Sequence, residues 1–98
     1  MIPVVFSPEA DADLDRIWAD LGELSQLVAA RATAKLAEAC LSLSETPRRH
    51  PIEPAIRGGQ TRRFTVDDFN IYYEVQDTLV EIVRILPGQM NLARFFSS

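Results

Sequence analysis

The chain has 98 residues, which is enough for a single domain spanning 1–98 with one core and a stability margin of about 5–15 kcal/mol. Hydrophobic residues make up 47% and charged residues 24%, which excludes a disordered chain, and the opening MIPVVF is far too short for a signal segment or a membrane span. A net charge of −4 argues against a protein that lives by wrapping nucleic acid, and a lone cysteine cannot form an internal disulfide, which fits a reducing cytoplasm.

Residues 2–6 read as a short strand with Ile2, Val4 and Phe6 on one face, and Pro3 suits its start or an edge. Ser7-Pro8 then opens a helix, with Ser7 as the cap and Pro8 at the first helical position. Ala10, Leu14, Ile17, Trp18 and Leu21 recur at helical spacing, which turns Asp11, Asp13, Asp15 and Asp20 to water. Gly22 ends this helix. A second helix is predicted from near Ser25 to about Glu45, burying Val28, Ala32, Leu36, Ala39, Cys40 and Leu43. The short gap between the two makes an antiparallel hairpin, and Thr46-Pro47 stops the second helix.

Residues 47–60 carry three prolines, Gly58-Gly59 and the only histidine, His50, and read as a surface loop. Three strands are predicted after it. Thr61–Val66 turns at Asp67-Asp68 into Phe69–Gln76, which alternates with Phe69, Ile71, Tyr73 and Val75 inward and Asn70, Tyr72, Glu74 and Gln76 outward. Asp77-Thr78 turns again into Leu79–Leu86, apolar on both faces as a central strand is, and Pro87-Gly88 ends it. In the tail, Leu92, Phe95 and Phe96 can dock as a last half-turn. The order strand, helix, helix, three strands predicts an α+β fold, with a helical hairpin packed on one face of a mostly antiparallel sheet.

Charge is segregated along this plan. Five of the ten Lys/Arg residues, Arg48, Arg49, Arg57, Arg62 and Arg63, fall between Pro47 and Phe64, while Glu9, Asp11, Asp13, Asp15, Asp20 and Glu23 crowd the start. Such a two-sided molecule can offer each side to a different partner. Arg57 and Arg63 border the sheet and are the first choices for a basic contact, alongside Arg48 and Arg49. Arg84 lies on an otherwise apolar strand and needs a carboxylate or carbonyl partner if its face is covered, so a structural ion pair is expected there. Trp18 sits at the rim of the core stripe, where large aromatics anchor partners. Tyr72 and Glu74 share a sheet face expected to be open, and bare Phe95 and Phe96 would be sticky enough to need a cover. One histidine and one cysteine do not make a metal cluster, Gly58-Gly59 lacks the lysine and spacing of a phosphate loop, and no catalytic signature, metal or cofactor is expected.

Four stretches resemble the RelE/ParE toxin superfamily. "VVFSPEADADLDRIWADL" is similar to its opening strand and A-x-x-D-L-x-x-I helix, matched by Ala10, Asp13, Leu14 and Ile17. "ACLSLSETPRRHP" resembles the end of its second helix and the basic loop after it. "RRFTVDDFNIYYEV" resembles its sheet hairpin through Arg63, Phe69, Ile71, Tyr73 and Val75, and "VEIVRILPG" resembles its closing strand. The resemblance spans roughly residues 2–90 and rests on the order and spacing of these motifs. It implies the toxic half of a type II toxin–antitoxin pair, held in a hetero-oligomer by a cognate antitoxin, with no membrane role. Trp18, Arg48, Arg49, Arg57, Arg63, Tyr72, Glu74, Phe95 and Phe96 are then the residues expected to meet antitoxin or target.

The departures favour one branch. The RelE branch cuts messenger RNA with Lys, Arg and a terminal Tyr or His, chemistry that needs a base, an acid and cations around the phosphate. Where that set falls, this chain has Asn70, Pro87 and Gln89, and no Tyr or His follows Tyr73. The ParE-like branch, which lacks the same set, implies poisoning of DNA gyrase by binding, with DNA touched only through gyrase or antitoxin. A ribosome-dependent endoribonuclease with an unusual residue set and a non-toxic antitoxin-binding module are the alternatives.

Overall fold

A computed structural model of the chain describes residues 1–88. Strand β1 (Val4–Phe6) leads into helix α1 (Pro8–Gly22), and helix α2 (Gln26–Leu41) follows, continued by a tight turn over Ser42–Ser44. Strands β2 (Thr61–Val66), β3 (Phe69–Val75) and β4 (Val80–Pro87) complete the order. The capping readings hold in detail. Ser7 accepts from the Ala10 N–H with Pro8 in the first turn, and Ser25 accepts from the Val28 N–H, each satisfying a donor that the first helical turn leaves free.

The four strands lie in the order β1-β4-β3-β2. The β2–β3 and β3–β4 pairs are antiparallel, whereas β1 runs parallel to β4, with Val4 opposite Val80 and Phe6 opposite Ile82. The sheet is therefore mixed. The two helices pack on one of its faces around Ala10, Ile17, Leu36, Cys40, Leu43, Ile71, Tyr73, Val80, Ile82 and Ile85. Burial of each large aliphatic side chain in this layer is worth about 1.5–3 kcal/mol.

Three expectations need correction. Helix α2 is rotated relative to its expected stripe: Ala29, Leu36 and Cys40 face the core, whereas Val28 is half exposed and Ala32 only partly covered. Two apolar lines run along this helix, and the smaller alanine, which permits closer approach, is the one that packs.

The second correction concerns Asp13, expected in water and found 0% exposed. The register of β3 against β4 shifts between Tyr72 and Tyr73, so Tyr72 faces Arg84 while Tyr73 faces Ile82. Such a bulge interrupts the ladder and leaves backbone groups to be satisfied from elsewhere. Asp13 supplies one answer, its Oδ2 accepting from the Ile85 N–H at 2.9 Å, and Ser7 supplies another, its hydroxyl donating to the Val83 carbonyl at 2.8 Å. The same carboxylate takes a bidentate pair from Arg84, Nε to Oδ2 and NH2 to Oδ1, both at 2.8 Å, and a further contact from Arg16 at 3.1 Å. Burial alone pushes the Asp13 carboxyl upward, but the Arg84 bonds, the Ile85 N–H and the Arg16 contact outweigh it and hold it below its ordinary value. The Asp13 hydrogen bonds in turn raise the Arg84 guanidinium above its usual value, against the opposing effect of its burial.

The third correction is Tyr72. Its face was expected to be open, yet the ring is 2% exposed and burial raises its hydroxyl's pKa. Asn70 beside it is also buried and donates to the Tyr72 hydroxyl at 3.4 Å. A tyrosine in an alternating strand carries a large apolar body behind its polar tip, so it reads as outward while gaining from cover.

Candidate functional site

Of the concave surfaces along the β2 edge, two bear on function. The larger, about 590 Å³, lies at the β2–β3 turn and is lined by Arg63, Thr65, Asp67, Asp68, Asn70, Pro87 and Gly88. Its turn is tight because Asp67 adopts φ 54°, a left-handed conformation that Asp tolerates better than most residues. The Gly88 N–H donates to the Asp68 carbonyl at 2.9 Å and closes the far wall. The Asn70 side-chain oxygen accepts from the Thr65 hydroxyl at 2.7 Å and from Arg63 at 3.4 Å. Arg63 is further occupied by Glu53, Nε to Oε1 at 2.7 Å. Lys35 pairs with Asp67 at 2.9 Å, but both partners are largely exposed and the pair contributes at most about 1 kcal/mol.

Asn70 and Pro87, the departures from an RNA-cutting set, thus come together with Arg63 in one cleft; Gln89 lies outside the described residues. The described lining residues include one cation, already engaged, and two carboxylates. No histidine, tyrosine or lysine is among the described lining residues. The two carboxylates repel a phosphodiester, and the one cation among the described lining residues is already paired with Glu53.

The second surface is the basic loop. It is anchored rather than loose: the Glu53 N–H donates to the Thr61 carbonyl and the Arg63 N–H to the Pro51 carbonyl, so residues 51–53 cover part of the β2 edge. His50 stacks on Phe64 with ring centroids 4.2 Å apart and meets Tyr73 edge-on. Burial, then the neighbouring Arg49 charge, holds the His50 imidazolium below its usual pKa. Arg62 donates to the His50 carbonyl at 2.7 Å and to that of Arg48 at 3.4 Å. Arg48, Arg49 and Arg57 are exposed on this loop.

The remaining expected residues are scattered. Trp18 is 39% exposed on α1 and lines neither concave surface. Glu74 is partly covered, accepting from the Thr61 hydroxyl at 3.2 Å. Phe95 and Phe96 lie outside the described residues. The hairpin carries a feature that the sequence reading missed: Leu24 is 83% exposed and Leu27 58%, with Val28 and Leu41 also open. The signal was present as Leu27 and Leu41, two heptads apart on the outer line of α2, but the inner line drew the attention.

Comparison with known proteins places this geometry. Residues 4–92 match the family described as the ParE toxin of the type II toxin–antitoxin system parDE. No curated protein sequence matches the chain. Among solved structures, the chromosomal ParDE system of P. aeruginosa has a similar fold, with a TM-score of 0.77 at 22% identity over 89% of this chain and 96% of that one. The RelBE2 toxin–antitoxin complex of Mycobacterium tuberculosis gives a TM-score of 0.66, also at 22% identity, over 88% of this chain and 90% of that one. At such identities the structures speak for the fold alone, and the family match over most of the length speaks for descent. The chain belongs to the ParE toxin family of type II toxin–antitoxin systems.

Proposed function

We propose that this toxin acts in the cytoplasm by binding DNA gyrase and holding it on cleaved DNA, and that a cognate antitoxin neutralises it in a hetero-oligomer. The observation that carries the choice of binding over RNA cleavage is the cleft at the β2–β3 turn. Asn70 and Pro87 stand where an RNA-cutting relative needs charge, and Asp67 and Asp68 make the surroundings acidic. Cleavage of RNA at such a site would need a proton donor for the leaving oxygen and a free cation beside the phosphate, and the described lining residues offer neither. Support for the antitoxin comes from the solved relatives, which are described as toxin–antitoxin complexes, and from the exposed Leu24, Leu27, Val28 and Leu41. No helix among the described residues is long and apolar enough to cross a membrane, which is compatible with a cytoplasmic site of action.

Inducible expression of the chain alone, with transcript ends mapped after induction, tests the choice. Growth arrest without new in-frame cuts in messenger RNA is expected. Ribosome-dependent cuts would establish the ribonuclease reading instead, and normal growth with soluble protein would leave a non-toxic binding module.

A further inference from the structure

A second, smaller groove lies where the basic loop meets the open end of β2 and β3. It measures about 150 Å³ and is lined by Arg48, Ile52, Gly59, Gln60, Arg62 and Val75. Two guanidinium groups share this recess and no carboxylate is among its described lining residues, although the chain as a whole carries 14 acidic residues against 10 basic ones. Among the described residues, neither Arg48 nor Arg62 is in an ion pair; Arg62 is held in place by the His50 and Arg48 carbonyls, and the Arg48 side chain meets no hydrogen-bond partner there. Glu53, the loop's own acid, is taken by Arg63. The groove therefore offers a cation fixed by backbone carbonyls, a second cation free to close on it, and an aliphatic rim in which Ile52 is 42% exposed.

We infer that this groove receives a carboxylate side chain, flanked by an aliphatic one, from an extended segment of the cognate antitoxin. The carboxylate lies between Arg48 and Arg62, and the aliphatic neighbour lies on Ile52 and Val75. Guanidinium groups suit this ligand because their paired N–H donors match the two carboxylate oxygens. Nucleic acid fits less well. Duplex binding draws its affinity from many phosphate contacts along a stripe, whereas this recess has two cations, an apolar rim and an acidic protein around it. The inference rests on the reading that an antitoxin holds this chain, and it says where one part of that antitoxin sits.

The test uses the full-length 15N-labelled chain and three probes: acetyl-Leu-Glu-Leu-amide, acetyl-Leu-Gln-Leu-amide and a short DNA duplex. The Glu peptide is expected to shift the amide signals of Arg48, Ile52, Gly59, Gln60, Arg62 and Val75, and to bind about tenfold more tightly than the Gln peptide, as loss of one charged hydrogen-bonding group implies. Arg48→Glu, at an exposed position where folding is not at stake, is expected to abolish the shifts while the rest of the spectrum stays unchanged. Equal binding of the two peptides, or no shifts with either, overturns the inference; shifts in the groove with the duplex alone assign it to nucleic acid instead. Co-purification with the cognate antitoxin separates the two levels of the argument. Retention by the parent chain and loss by Arg48→Glu supports the groove. Equal retention by both removes the groove and leaves the antitoxin reading standing. Failure of the parent itself to retain the antitoxin removes both.

Discussion

Replacing Asp13 by Asn tests the electrostatic centre of the fold. Asp13 accepts two hydrogen bonds from Arg84, one from Arg16 and one from the Ile85 N–H, and the Arg84 side chain is 16% exposed. Asn keeps one acceptor and turns an NH2 group toward a guanidinium, which takes the bidentate carboxylate from a largely buried cation and puts a bulge amide at risk. Breaking one side of such a pair costs about 3–5 kcal/mol. Out of a total of about 5–15 kcal/mol, that loss brings the protein close to unfolding. With a melting shift of about 4–8 °C per kcal/mol for a domain of this size, Tm should fall by on the order of 10–40 °C. Urea unfolding followed by Trp18 fluorescence and far-ultraviolet circular dichroism measures it. Asp13→Asn combined with Arg84→Met should recover a good part of the loss, because the stranded charge is gone. The sign of the pH dependence follows from the same contacts. The folded-state carboxyl lies below its ordinary value of 3.8, so its contribution is fully present above that pH and is lost as pH falls through the depressed folded value. A loss under about 1 kcal/mol, or a double variant no more stable than the single one, would refute the reasoning.

Tyr72→Ala should destabilise by about 3–5 kcal/mol in the same urea assay, as a core aromatic does, whereas an exposed position would change stability by less than about 0.5 kcal/mol. Ser7→Ala removes both the α1 cap and the donor to the Val83 carbonyl; a loss of about 1–3 kcal/mol is expected, and a neutral effect would mean the bulge carbonyl finds another donor. Burial pushes the Cys40 thiol up to about 12, so a thiol reagent should label it only at the rate of unfolding. Immediate labelling of the native protein would contradict that.

Much of this fold is written in local chemistry. Ser7-Pro8 and Ser25 mark helix starts because a capping oxygen and a fixed φ act within a few residues, and Asp67-Asp68 marks a turn for the same reason. Asp13 and Tyr72 were misread because what decides their exposure lies far along the chain. The partners of Asp13 are Arg84 and the Ile85 amide, some 71 and 72 positions away, brought to it by a bulge that strand periodicity does not announce. That Arg84 needed a partner was readable; which carboxylate would serve was not. On the functional side, the sequence showed that Asn70 and Pro87 depart from an RNA-cutting pattern, and the fold adds that they share one cleft with two aspartates. The open Leu27 was hidden because α2 has two apolar lines, and choosing between them requires knowing how the hairpin sits on the sheet.

The central claim is that this chain stops growth by binding gyrase. Its most direct test incubates purified toxin with DNA gyrase, ATP and plasmid DNA, then denatures the protein and resolves the DNA on a gel. Linear DNA that rises with toxin concentration and falls when antitoxin is added first is expected. Undiminished supercoiling with no linear product, at toxin levels that arrest growth, would contradict it and leave the family assignment with a different target.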